Sequence, residues 1–416
     1  MPNDSRYLLI CTVGGSPEPI VETIRQWQPA RLLLVSSAGT RAAAEEIAKG
    51  CGSLPPGAWN NIDVGDAQDL FEKCVSRMRG LNEEVIAWQR RGPAHQVVIG
   101  FTGGTKCMSA ALALVARRWP CTFSYVTGKE RTKGGVGIVV SGTEHRSTQN
   151  PWNALGYQAI EDACLLFDRQ AFASAVEQLD SARRAVDDES VKRTLSTFHQ
   201  LCEAYGLWDR FQHAAALSQL NAAIKNRNDL LAELGTTHGQ AVVDSIERNR
   251  GSLRELAKPL SRLTVADLLA NARRRRDEGR HDDAIARLYR AIESLAQLAL
   301  AERHAIASTD DVALAMVPEP LRERWELRAD RGKLRLGLQD AYELLDALGD
   351  EIGRAFKDLN LHDRERSPLA ARNRSILAHG FQPASEQDFR RLWDAAMKLG
   401  RFEEHELPAF PRLTKS

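Results

Sequence analysis

Late in the chain, "RNRSILAHG" (372–380) places two arginines, an asparagine and a histidine among apolar residues. A histidine takes or gives a proton near neutral pH. An arginine grips a phosphate through parallel donors and stabilises charge that builds up on it. RNA carries its own nucleophile, the 2′-hydroxyl. A histidine and a phosphate clamp therefore suffice to cut it to a 2′,3′-cyclic phosphate without a metal.

Two arginines compete for that partnership. Ser367 as N-cap, Pro368 at the first helical position and Gly380 at C′ predict a helix across "RSPLAARNRSILAHG". At about 100° per residue, Arg372 and His379 share a face, with Ser375 between them. Arg374 lies about 140° around the cylinder from His379. The helix geometry favours Arg372 and keeps Arg374 in reserve. The helix dipole also draws arginine and histidine to a C-terminus, so a purely structural reading stays open.

Two turns far upstream are rich in glycine and hydroxyls: "TVGGSPEPI" (12–20) and "FTGGTKCMSAAL" (101–112). Glycine lets backbone approach a ligand closely, and helix N-termini attract phosphate. Ser16, Thr102 and Thr105 add hydroxyls, and Lys106 adds a positive charge. Gly100 and Lys106 stand at roughly P-loop spacing, but Thr105 and Cys107 occupy the positions where that motif needs glycine and Ser/Thr. The first turn lacks the last glycine of a dinucleotide fingerprint. Nucleotide hydrolysis and NAD chemistry are therefore disfavoured, while a phosphate-bearing ligand is favoured.

The elements around these residues can be read from periodicity. "RYLLICTV" (6–13), "RLLLVSS" (31–37), "HQVVIGFT" (95–102), "CTFSYVTG" (121–128) and "VGIVVSG" (136–142) read as strands, mostly continuous apolar runs of the kind covered on both faces. "EPIVETIRQW", "TRAAAEEIAKG", "AQDLFEKCVSRMRGLNEEVIAWQ" and "CMSAALALVARRW" between them read as helices. This alternation predicts an α/β fold, a mainly parallel, doubly wound, Rossmann-like sheet. Ligands of such sheets settle at the carboxyl ends of the strands, where both glycine turns lie.

Beyond about residue 150 the strand pattern vanishes and an all-α region follows. Two helical hairpins are expected there, the first turning at Asp168–Gln170, with a domain boundary near Lys258–Leu263. Ile285, Leu288, Ile292, Leu295 and Ala299 form one apolar stripe for helix packing. "RRRR" (273–276) reads as a solvated helix face. The domains expected are 1–148, 149–262 and 263–416.

Across 416 residues the formal net charge is +1, with 43% hydrophobic and 27% charged residues. Any nucleic-acid contact must come from local patches. Seven cysteines, all before residue 203 and with no C-x-x-C pair, suit buried reduced thiols. No signal peptide, membrane span or metal site is expected, and the compartment expected is the cytoplasm.

"TVGGSPEP" with "FTGGTKCMSAAL" resembles the CARF domains of CRISPR-associated proteins, which bind cyclic oligoadenylates. "RNRSILAHG" resembles the HEPN ribonuclease signature: an arginine, often a polar residue, then four to six residues and a histidine. In this order the two resemble the CARF–HEPN ancillary ribonucleases of type III CRISPR systems, over nearly the whole chain. The resemblance implies a homodimer whose paired CARF domains share one pocket for a cyclic tetra- or hexa-adenylate. Thr12, Gly14, Gly15 and Ser16 match the first turn of that pocket. Thr102, Gly103, Gly104, Thr105 and Lys106 match the second, and Ser37 and Thr40 are further candidates. Paired HEPN domains would bring both copies of Arg372, Asn373 and His379 into one cleft for single-stranded RNA. No cofactor is implied. The alternatives are a non-catalytic sensor of the ring, or a ring nuclease in which Thr12, Ser16 or Thr105 positions a 2′-hydroxyl.

Overall fold

The computed structural model describes residues 6–414 apart from Ser53, 129–143, Pro259, 364–367, Ile376, Ala378 and His379. The strand expected at 136–142, the N-cap expected at Ser367 and the histidine of the signature thus lie outside the described residues. Two compact units emerge. One comprises Met1–Ile160 with Asp180–Leu195, the other Glu161–Leu179 with Ser196–Ser416.

The first unit is built on six strands: β1 (Tyr7–Thr12), β2 (Arg31–Ser36), β3 (Trp59–Asp63), β4 (Gln96–Gly100), β5 (Thr122–Gly128) and β6 (Glu144–Gln149). Their order is β3-β2-β1-β4-β5-β6, parallel except for the antiparallel β5–β6 pair. The apolar runs split by alternation between two cores. Leu8, Ile10, Leu33 and Val35 face one core, and Leu9, Cys11, Leu32 and Leu34 face the other. Helices α1 (Glu18–Trp27) and α2 (Arg41–Gly50) cover the second core. Helices α3 (Phe71–Met78), α4 (Leu81–Gln89) and α5 (Lys106–Ala116) cover the first. The helix expected across 67–89 is thus two, parted at Arg79–Gly80.

β3 ("WNNID") and β6 ("EHRSTQ") escape the apolar pattern because they are polar strands at the edges of the sheet, each paired with one neighbour among the described strands. From β1 the chain winds outward through β2 and β3. It then returns to lay β4 and β5 on the other side of β1. The winding reverses between β1 and β4, and that point fixes where the two glycine turns meet.

The second unit is helical apart from the short pair Val312–Ala313 and Lys333–Leu334 among its described residues. Helices Arg262–Asp277 and His281–His304 form a hairpin. The stripe Ile285, Leu288, Ile292, Leu295 and Ala299 is buried as its spacing predicts. It shares one core with helices Leu338–Ala347 and Glu386–Gly400.

The arginine run departs from expectation. Arg274 and Arg275 are buried, at 7% and 6% exposure, rather than solvated. Both donate to the Asp209 carboxylate, at 2.9 and 2.5 Å. The Arg274 guanidinium also lies 4.0 Å from the Phe410 ring centroid. A charge run alone could not reveal an acid 65 residues away that would neutralise it.

Candidate functional site

The first candidate site lies at the carboxyl ends of β1 and β4, adjacent strands on either side of the winding reversal. Their two turns are in direct contact. The buried Thr12 hydroxyl donates to the Gly103 carbonyl at 2.6 Å. A Cβ on Gly14 would stand 2.6 Å from the Gly104 nitrogen, and one on Gly103 would stand 2.5 Å from the Thr12 carbonyl oxygen. Gly104 adopts φ +82°, which side chains rarely tolerate. The glycines are there so that one turn can rest on the other.

Most of the hydroxyls singled out in the sequence hold this architecture. Thr105 donates to the Gln68 carbonyl at 2.5 Å and caps α5 by accepting from the Met108 amide at 3.3 Å. Thr102 accepts from the Val126 amide at 2.9 Å. Ser37 and Thr40, beyond β2, bond each other, the Ser37 amide donating to the Thr40 hydroxyl at 2.9 Å. Ser16 and Lys106, by contrast, make no hydrogen bond with the described residues, and Lys106 and Gly15 are exposed. A serine hydroxyl, a free ammonium group and glycine backbone suit an anionic, phosphate-bearing ligand. Beneath the turns, burial pushes the Cys11 thiol up to about 12, so it packs as an apolar side chain.

The second candidate site departs from the expected helix. Helical geometry covers only Ala370–Arg374, and Ser375 is extended, at φ −77° and ψ 161°. The chain folds straight back. The Ser375 amide and hydroxyl both donate to the Arg372 carbonyl, at 3.2 and 2.9 Å. The Gly380 amide donates to the Ser375 carbonyl at 3.2 Å, and the Gln382 amide donates to the Arg374 carbonyl at 3.0 Å. A Cβ on Gly380 would collide with the Arg374 backbone. Gly380 is therefore the crossing point of a tight return rather than a helix cap. The seven-residue argument that put Arg372 and His379 on one helical face does not hold.

A different contact distinguishes the arginines. The Arg372 guanidinium lies 4.9 Å from the ring centroid of Tyr289, on helix His281–His304, and donates to the Asn373 side-chain oxygen at 3.3 Å. Cation–π attraction and a planar support hold it in one place. Burial pushes the Tyr289 hydroxyl up, with Arg372 opposing. Arg374 is half exposed, and the Asp388 carboxylate is 3.9 Å away. Buried Ser375 fixes the Arg372 backbone through that hydroxyl bond. The structure thus brings Arg372, Asn373 and Ser375 together with Tyr289. Sequence reasoning missed Tyr289, whose only signal was an aromatic flanking the apolar stripe.

Residues 253–403, which include the signature and Tyr289, match the sequence model of the Csm6 HEPN domain. Among solved structures, Enterococcus italicus Csm6 bound to cyclic hexa-2′-fluoro-hexa-dAMP superposes with a TM-score of 0.56 at 13% identity, over 95% of this chain and 92% of that one. The two share a fold along nearly their whole lengths. Can2 from Sulfobacillus thermosulfidooxidans in complex with cyclic tetra-adenylate aligns with 50% of this chain and 68% of its own, at 11% identity. Its TM-score of 0.25 is too low to define a common fold. No curated protein sequence matches the chain. Residues 253–403 thus match the Csm6 HEPN domain, and the chain shares the fold of Csm6 along nearly its whole length.

Proposed function

We propose that this protein is an endoribonuclease that cuts single-stranded RNA, without a metal ion, when a cyclic oligoadenylate binds the β1 and β4 turns. The observation that carries this reading is the HEPN match, whose span includes the segment where Arg372 is fixed on Tyr289 beside Asn373. The cyclic hexanucleotide bound by the Enterococcus italicus protein supports a ring as activator.

Arg372 would hold the scissile phosphate and stabilise its charge as the neighbouring 2′-oxygen attacks phosphorus. The 2′-proton leaves, the bond to the 5′-oxygen breaks, and that oxygen takes up a proton. His379 serves as the proton carrier. Two protomers would supply two copies of Arg372, Asn373 and His379 to one cleft, and two sets of glycine turns to one ring. For the ring to act as a switch it must bind the cleavage-competent arrangement more tightly than the resting one.

The deciding experiment incubates fluorogenic single-stranded RNA with the protein in EDTA, with and without cyclic tetra- or hexa-adenylate. Cleavage only with a ring is expected. His379→Ala should abolish cleavage and leave ring binding intact. Tight ring binding with no cleavage in EDTA or magnesium would make the protein a non-catalytic sensor instead.

A further inference from the structure

The chemistry proposed for Arg372 leaves a neighbouring cleft unused. It measures about 320 Å³ and is walled by Tyr289, Leu338, Gln339, Asp340, Leu369 and Asn373. The Tyr289 ring that forms one wall also carries the Arg372 guanidinium, so the cleft opens beside the phosphate clamp.

Its chemistry is not that of a phosphate site. Neither lysine nor arginine is among the described residues lining it, and Asp340 contributes a carboxylate. Arg328 pairs with that carboxylate through both of its terminal nitrogens, at 3.2 and 2.5 Å, which fixes it. Such a lining offers no cation to a phosphate. Leu338, Leu369 and the tyrosine ring offer flat apolar walls. Three polar groups add directional bonding. Gln339 donates its amide nitrogen to the Leu361 carbonyl at 3.0 Å, which leaves its side-chain oxygen as an acceptor. The Asp340 carboxylate is a second acceptor. Asn373 takes the Arg372 N–H on its oxygen, which leaves its NH₂ as a donor. Apolar walls with a few placed donors and acceptors suit a neutral heteroaromatic ring. Single-stranded RNA presents such rings with their edges unpaired.

We infer that this cleft is a nucleobase subsite, holding the base on one side of the scissile phosphate; this rests on the ribonuclease reading above. Two acceptors, on Asp340 and Gln339, and one donor, on Asn373, match a base edge that sets two neighbouring N–H donors next to a carbonyl. Guanine presents that edge through N1–H, its exocyclic amine and O6. Adenine and cytosine present one amine next to a ring-nitrogen acceptor, and uracil one N–H between two carbonyls, so each leaves an acceptor of the cleft unmatched. The enzyme therefore favours guanine over the other three bases.

The test uses oligodeoxynucleotides carrying one ribonucleotide, which confines cleavage to a single bond. The base is varied at the ribose position and, separately, at the following position, with cyclic tetra- or hexa-adenylate present. Guanine should be cleaved about tenfold faster than adenine, cytosine and uracil at one of the two positions. Asp340→Asn should shrink that ratio to about threefold or less while the uracil reporter is cut no more slowly, which also shows that the variant is folded. Equal rates for all four bases at both positions, or an undiminished ratio in Asp340→Asn, would overturn the subsite while leaving the ribonuclease intact. Failure of every reporter and of all-RNA substrate would instead remove the ribonuclease reading, and the subsite with it.

Discussion

The Thr12 hydroxyl and the Gly103 carbonyl, 91 residues apart in sequence, form a 2.6 Å hydrogen bond that ties the β1 turn to the β4 turn. It turns two separate glycine-rich loops into one surface at the point where the winding of the sheet reverses. The Ser109 hydroxyl also donates to that carbonyl, at 3.0 Å, so Thr12 reinforces a junction that it does not hold alone.

Thr12→Val keeps the shape of the side chain and removes its donor. Because Ser109 still satisfies the carbonyl, the cost should be about 1 kcal/mol in urea unfolding. Gly14→Ala acts differently, since its methyl group would meet the Gly104 nitrogen at 2.6 Å and push the turns apart. Calorimetric titration with cyclic oligoadenylate should show a loss of affinity for Gly14→Ala much larger than for Thr12→Val. Equal, small losses would mean that the ring does not use this junction.

The two arginines of the signature should separate cleanly. Arg372→Ala removes a guanidinium fixed on Tyr289 and should lower single-turnover RNA cleavage by about 10²-fold or more. Arg374→Ala removes a half-exposed charge with a 3.9 Å acid neighbour and should change the rate by less than about threefold. The reverse order would transfer the phosphate-binding role to Arg374.

The buried arginine pair is exposed to loss of its acid. Asp209→Ala would leave Arg274 and Arg275, each under a tenth exposed, without their shared carboxylate, while Arg275 keeps its 2.8 Å pair with Glu278. Burial already holds the Arg274 guanidinium below its ordinary range, with Asp209 opposing. The expected loss is about 3–5 kcal/mol in chemical denaturation. A loss under about 1 kcal/mol would show that these charges are solvated after all, as their sequence alone suggested.

Asp388 gives the helical unit a pH-dependent cap. It accepts the Ser385 amide at 3.0 Å and hydroxyl at 2.5 Å at the start of helix Glu386–Gly400. Burial pushes its carboxyl up, but Ser385 and the Arg374 and Arg391 guanidinium groups outweigh that and leave it below the usual range. A lowered carboxyl stabilises the fold above its unfolded value of about 3.9 and loses that contribution as pH falls through the folded value. Asp388→Asn should therefore cost about 1 kcal/mol at pH 7, and the gap to the wild type should close in melting curves taken at decreasing pH below about 4. A gap of constant size would mean that the carboxylate charge contributes nothing.

Local pattern determined much of this protein. Continuous apolar runs gave strands β1, β2, β4 and β5, and spacings of three and four gave the buried stripe from Ile285 to Ala299. Both signals depend on residues within one or two turns, so the sequence carries them directly. The glycine turns and the late arginine–histidine signature were legible for the same reason, as compact clusters of residue types.

Tertiary structure decided everything that depends on distant partners. Edge position, not apolarity, made strands of "WNNID" and "EHRSTQ". Strand order set Gly14 against Gly104 and turned Thr12, Thr102 and Thr105 toward backbone partners. The returning backbone at Gly380 cut short a helix that its local residues favoured. Tyr289, 83 residues upstream, sets Arg372 apart from Arg374 through a ring contact, where helical periodicity had rested on a helix that ends at Arg374. A pattern of neighbours can specify an element, but a hydrogen bond or a stacked charge needs the other chain segment to be in place.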